Sequence, residues 1–164
     1  MNLSEGLKNL LNLSQIDLSS NNLNDEELKN FFKFLDKESK LNTINLSYNN
    51  LTSNGFTLLC KNISSNRLKI KEINVCGNKI NDDGFRAFIE EVKVGTFNCL
   101  NKINFSNNLL GDETIHLFFS FFSNFVNLYE IDLSYNNITD NGVINFSAVI
   151  NDLIDNISFI DLML

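Results

Sequence analysis

The sequence predicts an α/β fold, a solenoid in which short parallel strands line a concave sheet and one helix per strand covers the convex side. Two observations predict it. One pattern is written five times in full and once in part, and between its copies apolar residues recur at helical spacing. The copies are LSQIDLSSNNL (13–23), LNTINLSYNNL (41–51), IKEINVCGNKI (70–80), LNKINFSNNLL (100–110) and LYEIDLSYNNI (128–138), with ISFIDLML (157–164) lacking the Asn. Their starts lie 28, 29, 30, 28 and 29 residues apart, enough for a strand, a helix and two connections.

In each copy two apolar residues stand two apart: Ile16 and Leu18, Ile44 and Leu46, Ile73 and Val75, Ile103 and Phe105, Ile131 and Leu133, Ile160 and Leu162. That spacing sends both to one face of a strand, which predicts neighbouring parallel strands over 16–18, 44–46, 73–75, 103–105, 131–133 and 160–162 with this face in the core. Asn21, Asn49, Asn78, Asn108 and Asn136 follow where the chain must leave the strand. A buried amide there supplies both donors and an acceptor to turn backbone otherwise left unpaired, so these residues are structural.

Helix starts follow at Asn24 or Asp25, Ser53, Asn81 or Asp82, Asp112, and Thr139 or Asp140, where capping side chains or acidic first-turn residues suit a helix N-terminus. Apolar columns at i, i+3, i+4 and i+7 come next: Leu28, Phe31, Phe32, Leu35; Phe56, Leu59, Cys60, Ile63; Phe85, Phe88, Ile89, Val92; Ile115, Phe118, Phe119, Phe122; and Val143, Phe146, Ser147, Ile150. Such stripes pack helices on a sheet. Gly55, Gly84 and Gly142 are expected where the repeat turns. The whole chain, 1–164, reads as one domain: a capping helix remnant over 1–12 carrying Leu3, Leu7 and Leu10, five repeats over 13–156, and a truncated sixth over 157–164.

This pattern resembles the leucine-rich repeat, LxxLxLxxNxL, at the repeat length of its ribonuclease-inhibitor-like class. The resemblance spans nearly the whole chain and implies a horseshoe arc. Ribonuclease inhibitor, the Ran GTPase-activating protein and the sensor regions of innate immune receptors share protein recognition, so recognition of another protein is what the resemblance implies. GTPase activation and a scaffold role are the alternatives it leaves open. The Asn- and Phe-rich, proline-free composition is similar to leucine-rich-repeat effectors that intracellular bacteria deliver into host cells.

Charge narrows the partners. With 13 basic and 20 acidic residues the net charge is −7, which opposes the counterion release that drives nonspecific nucleic-acid binding. Neither nucleic acid nor a membrane is expected as a partner, and no apolar run approaches the roughly 18 residues of a membrane span. Cys60, Cys76 and Cys99 are odd in number without CxxC spacing, which fits a reducing compartment better than a disulfide framework or a zinc site. The cytoplasm is expected, that of a host cell if the chain is a delivered effector.

Chemistry is sparse. His116 stands alone on the fourth helix, Cys76 lacks an accompanying base, and no Gly-rich phosphate loop occurs, so neither catalysis nor a cofactor nor a metal is expected. Asp17, Asp132 and Asp161 share a strand column with Asn45, Asn74 and Asn104, which reads as a solvated inner face. Two further columns face the same way: Gln15, Thr43, Glu72, Lys102, Glu130, Phe159, and Ser19, Ser47, Cys76, Ser106, Ser134, Met163.

Against these mostly small polar residues the three tyrosines stand out, because Tyr48, Tyr129 and Tyr135 all take outward-facing positions. Tyrosine suits a surface that meets both a partner and water. The expected protein-binding face is therefore Tyr48, Tyr129 and Tyr135 with Asp17, Glu72, Lys102, Glu130, Asp132 and Phe159. An enzyme with a basic active-site rim, inhibited by being covered, is the expected partner. Phe159, Met163 and Leu164 form an apolar corner, and Phe34 and Phe121 are expected to pack laterally between helices.

Overall fold

The structure, a computed structural model, describes residues 12–33 and 39–144 and the backbone of 159–161. Six short strands form one parallel sheet in chain order: β1 (Gln15–Asp17), β2 (Thr43–Asn45), β3 (Glu72–Asn74), β4 (Lys102–Asn104), β5 (Glu130–Asp132) and β6 (Phe159–Asp161). The helices are α1 (Asp25–Phe32), α2 (Ser53–Asn66), α3 (Asp82–Lys93), α4 (Asp112–Ser120) and α5 (Asp140–Ile144). The register runs through the repeats, with Ile16, Ile44, Ile73, Ile103, Ile131 and Ile160 side by side.

Each strand begins and ends one residue earlier than expected. The cause is the side chain at its last position: Asp17, Asn45, Asn74, Asn104 and Asp132 each accept a hydrogen bond from the backbone N–H two residues on, which turns the chain. The predicted core pairs of the second to fifth copies are buried, Ile16 and Leu18 are partly buried, and Leu162 and the Ile160 side chain lie outside the described residues. Leu46, Val75, Phe105 and Leu133 are buried, and the N–H of Leu46 still donates to the Asn74 carbonyl at 2.8 Å.

Behind the sheet the core is aromatic. Phe56, Phe85, Phe88, Phe105 and Phe118 are fully buried, and the Phe88 ring lies 5.9 Å from Phe105 and 4.8 Å from Phe97. Phe97 belongs to no helix column; it folds in from the connection after α3 in the repeat that is 30 residues long. Phe121 is half-buried with the Lys93 ammonium 4.0 Å above its ring, a lateral contact as expected.

The asparagines join successive repeats. Asn78 donates from its amide nitrogen to the carbonyls of Leu46, Val75 and Cys76 and accepts from the N–H of Leu51. Asn49, Asn108 and Asn136 repeat this arrangement, so each satisfies backbone groups of its own turn and of the turn before.

A second ladder joins the helix starts. The helices begin at Ser53 and Asp112 as expected, and the caps are Asn24, which forms a reciprocal capping box with Glu27, then Thr52, Asn81 and Gly111. The first helical residue reaches forward instead: Asp25 accepts from the N–H and hydroxyl of Thr52, and Asp112 from those of Thr139. This relocates the reason for the glycines. Gly55, Gly84 and Gly142 lie inside the first helical turn, where a Cβ would collide with Asp25, Ile80 and Asp112 respectively. Leu3, Leu7, Leu10, Phe34, Leu35, Phe146, Ser147, Ile150, Met163 and Leu164 lie outside the described residues.

Candidate binding face

The concave side of the sheet carries two rows. Gln15, Thr43, Glu72, Lys102 and Glu130 open the strands, and Asp17, Asn45, Asn74, Asn104 and Asp132 close them. Between them lies a shallow depression of about 330 Å³, bordered by Asn45, Glu72, Asn74, Lys102, Asn104 and Glu130.

The opening row is charged and partly neutralised. Lys102 Nζ lies 2.8 Å from Glu130 Oε2, both side chains about two-fifths exposed, and 5.5 Å from the centre of the Tyr129 ring. The Glu130 hydrogen bond, with the charges of Glu130, Tyr129 and Glu72 around it, raises the Lys102 ammonium above its usual range. Glu72 forms no ion pair among the described residues.

The closing row is bonded more heavily than a simple solvated face. Asp17 accepts from the Ser19 hydroxyl at 2.6 Å and N–H at 2.9 Å, which lower its carboxyl below the usual carboxylate range. Asn45 donates to Asp17 Oδ2, and Asn104 to Asp132 Oδ2, both at 3.0 Å. The serine column is a correction too. Ser47, Ser106 and Ser134 are buried, donating their hydroxyls to Asn45, Asn104 and Asp132, and Cys76 is buried like them.

The tyrosines do not stand within the strands. Tyr129 immediately precedes β5, whereas Tyr48 and Tyr135 follow β2 and β5 by three residues, on a shelf along the far edge of the sheet. Ser20, Tyr48, Gly77, Asn107 and Tyr135 share one shelf position and one left-handed backbone, with φ between 53° and 66°. That conformation lets the N–H of Tyr48 donate to the Cys76 carbonyl and that of Gly77 to the Ser106 carbonyl, so the ladder continues past the strands. At Gly77 a Cβ would collide with the Tyr48 ring. A hydrogen bond with the Cys76 side chain raises the Tyr48 hydroxyl above its usual range. Tyr48 remains 58% and Tyr135 65% exposed.

The predicted face is thus divided: Asp17, Glu72, Lys102, Glu130 and Asp132 line the sheet, Tyr129 covers its near edge, and Tyr48 and Tyr135 stand on the shelf. Phe159 pairs with Glu130 along the backbone, and its side chain lies outside the described residues. Leu109, 49% exposed, was not foreseen, because its place in the repeat is taken by Asn50, Lys79 and Asn137 elsewhere. His116 is exposed on α4, where its charge helps lower the Asp112 carboxyl. Among the described residues no three His, Cys, Asp or Glu side chains converge as metal ligands, and no helix is long and apolar enough to cross a membrane.

Comparison with known proteins agrees with this architecture. A family model described as a leucine-rich repeat matches residues 38–60 and 127–147. The solved structure of leiomodin-1 actin-binding site 2 superposes with a TM-score of 0.70 at 14% identity, covering 94% of this chain and 91% of that one. The TLR13 chain of a complex with single-stranded RNA gives a TM-score of 0.50 at 20% identity over 95% of this chain and 20% of its own. An internalin from Listeria monocytogenes is similar over 76% of this chain at 19% identity, with a TM-score of 0.42. No curated protein matches by sequence. The written repeats, the strand-by-strand register and the likeness to the leiomodin-1 structure give the chain a leucine-rich-repeat fold, an α/β solenoid.

Proposed function

We propose that this chain is a non-enzymatic recognition module whose concave sheet and tyrosine shelf cover the functional surface of a partner protein and thereby inhibit it. The carrying observation is the pair of exposed rings at Tyr48 and Tyr135. Left-handed backbone suits Gly and Asn and is costly for a bulky residue, and the same shelf position holds Gly77 and Asn107 elsewhere. Rings that remain more than half exposed regain little of that cost through burial, but they offer contact area of the kind enriched at interface centres.

Six strands about 4.8 Å apart span roughly 24 Å, a width that suits a standard footprint of about 800 Å² per partner. A sheet formed in advance loses little entropy on binding. The leiomodin-1 structure, similar along its length, is that of an actin-binding site, which supports recognition of protein by this architecture. The TLR13 chain was solved with RNA, but a net charge of −7 favours a different partner here. Asp17, Glu72, Glu130 and Asp132 outnumber Lys102 on the sheet, so the partner of choice is an enzyme whose active-site rim is basic. Three free thiols suit a cytoplasmic location.

Affinity purification followed by an activity titration tests this reading. Wild type is compared with a Tyr48→Asn/Tyr129→Ala/Tyr135→Asn variant, Asn being chosen because Asn107 holds the shelf conformation. The expected result is a protein retained by wild type alone and inhibited stoichiometrically. A partner that stays fully active at saturation, or that ignores the three substitutions, contradicts it.

A further inference from the structure

We infer that the middle of the concave face is a subsite for a basic side chain on an extended segment of the partner, with Glu72 taking the lysine or arginine and the Asn74 amide taking a carbonyl oxygen beside it. This deepens the reading of the concave sheet as the binding face and rests on it.

Hydrogen bonds in the closing row run outward from its centre. Asn45 spends one amide proton on Asp17 and Asn104 spends one on Asp132, in opposite directions along the sheet. Asn74 stands between them. Its oxygen accepts from the N–H of Cys76 at 3.0 Å, while its amide nitrogen has no hydrogen-bond partner among the described residues. The Asn74 amide therefore offers two N–H groups without an acceptor among the described residues.

The opening row is one-sided in a complementary way. Lys102 pairs with Glu130, and Glu72, exposed and near enough for its charge to act on Lys102, forms no ion pair with Lys71 or any other base among the described residues. Glu72 and Asn74 are two apart on β3, so they share a face at a separation of about 7 Å. A cation and a carbonyl acceptor at that separation are what a peptide carries at a lysine or arginine. Simpler ligands fit worse. A bare metal ion would meet the Asn74 amide N–H groups beside a single free carboxylate, with no three ligating side chains converging among the described residues, and an anion would meet the carboxylates of Glu72, Asp132 and Glu130. The depression of about 330 Å³ has room for one long side chain.

The test titrates ¹⁵N-labelled protein with acetyl-Gly-Arg-Gly-amide, its Glu counterpart and ethylguanidinium, which keeps the cation but lacks the carbonyl. The expected result is saturable shifts at Glu72, Lys102 and the Asn74 side-chain amide with the Arg peptide, and none with the Glu peptide. Glu72→Gln should weaken the Arg peptide at least threefold. Ethylguanidinium should bind wild type at least threefold more weakly than the peptide, and Asn74→Ala should abolish that difference. Spectra of both variants report whether the fold is kept, and Glu72→Gln removes an exposed charge that also acts on Lys102. Unsaturable shifts spread over the acidic surface, or affinity unchanged in Glu72→Gln, overturn the subsite. A partner that still protects the concave face while ignoring Glu72→Gln removes the subsite alone and leaves the binding-face reading intact.

Discussion

The carboxylate of Asp82 accepts the hydroxyl of Thr114 at 2.6 Å, across the boundary between the third and fourth repeats. The same oxygen takes the N–H groups of Gly111 and Thr114 at 2.9 and 3.1 Å, so one side chain serves as the cap that Gly111 lacks. Thr114 is fully buried at the position held by Gly55, Gly84 and Gly142 in other repeats, and its side chain is accepted because it donates to the carboxylate a Cβ would otherwise crowd. Thr114→Val keeps the shape and removes the donor. Urea denaturation should show a loss of about 1–2 kcal/mol, whereas a neutral result would mean the hydroxyl contributes nothing to the junction.

The two asparagines of the third repeat should behave differently. Asn78 satisfies four backbone groups from two turns, so Asn78→Ala is expected to cost about 1–3 kcal/mol through the groups it strands. Asn74, read from sequence as a solvated position without structural work, holds the Cys76 N–H and should cost about 0.5–1.5 kcal/mol. Equal losses in chemical denaturation would erase the distinction. Phe88→Ala, which empties the centre of the aromatic core, should exceed both at about 3–5 kcal/mol.

Most of this architecture was legible because its causes are periodic. A two-residue apolar spacing, an Asn at the strand exit and a helical stripe recur together, and each has one sterically reasonable outcome. What escaped depends on contact between repeats about 28 residues apart. Nothing local in the segment around Ser53 reveals that Thr52 caps the helix with Asp25 as its partner, or that Gly55 is small because that carboxylate lies against it. The candidate face shows the same division. The exposure of Tyr48 and Tyr135 followed from their columns, but the early strand ending at Asn45 and Asp132, which moves both rings to the shelf and buries Ser47 and Ser134, follows from side-chain-to-backbone bonds that the apolar pattern does not encode.

Asp112 gives the junctions a pH dependence. The N–H of Thr139 first, then its hydroxyl, hold the Asp112 carboxyl below the ordinary aspartate range, against a small opposing effect of burial. A group whose pKa is depressed on folding stabilises the fold above its unfolded pKa, and the contribution is lost as pH falls through the folded value. Carbon-13 titration of the side-chain carboxyl should therefore give a midpoint below that of an unfolded aspartate. Thr139→Val, which removes the hydroxyl bond, should move it upward; a midpoint that does not move would show that the hydroxyl leaves the carboxyl unaffected.

The thiols should react in a fixed order. Cys60 is fully buried, and burial first, then the charge of Glu91, pushes its thiol well above the usual range. Cys76 is buried beside Tyr48, and Cys99 is half-buried before β4. Thiol labelling of the folded protein should find Cys99 fastest, with Cys60 reacting only on unfolding. Reductant should leave the melting temperature unchanged, and a large fall would contradict the reading of a protein at home in a reducing compartment.

The central claim is that the concave side and its tyrosine shelf meet the partner. Hydrogen exchange of the complex, read by mass spectrometry once affinity purification has supplied the partner, tests it most directly. The account predicts slowed exchange in the segments 42–49, 71–78, 101–107 and 129–136, with α2, α3 and α4 unchanged, and at least about 1–2 kcal/mol of lost affinity on replacing one shelf tyrosine, mostly through faster dissociation. Protection confined to the helices, with affinity indifferent to Tyr48 and Tyr135, would contradict it.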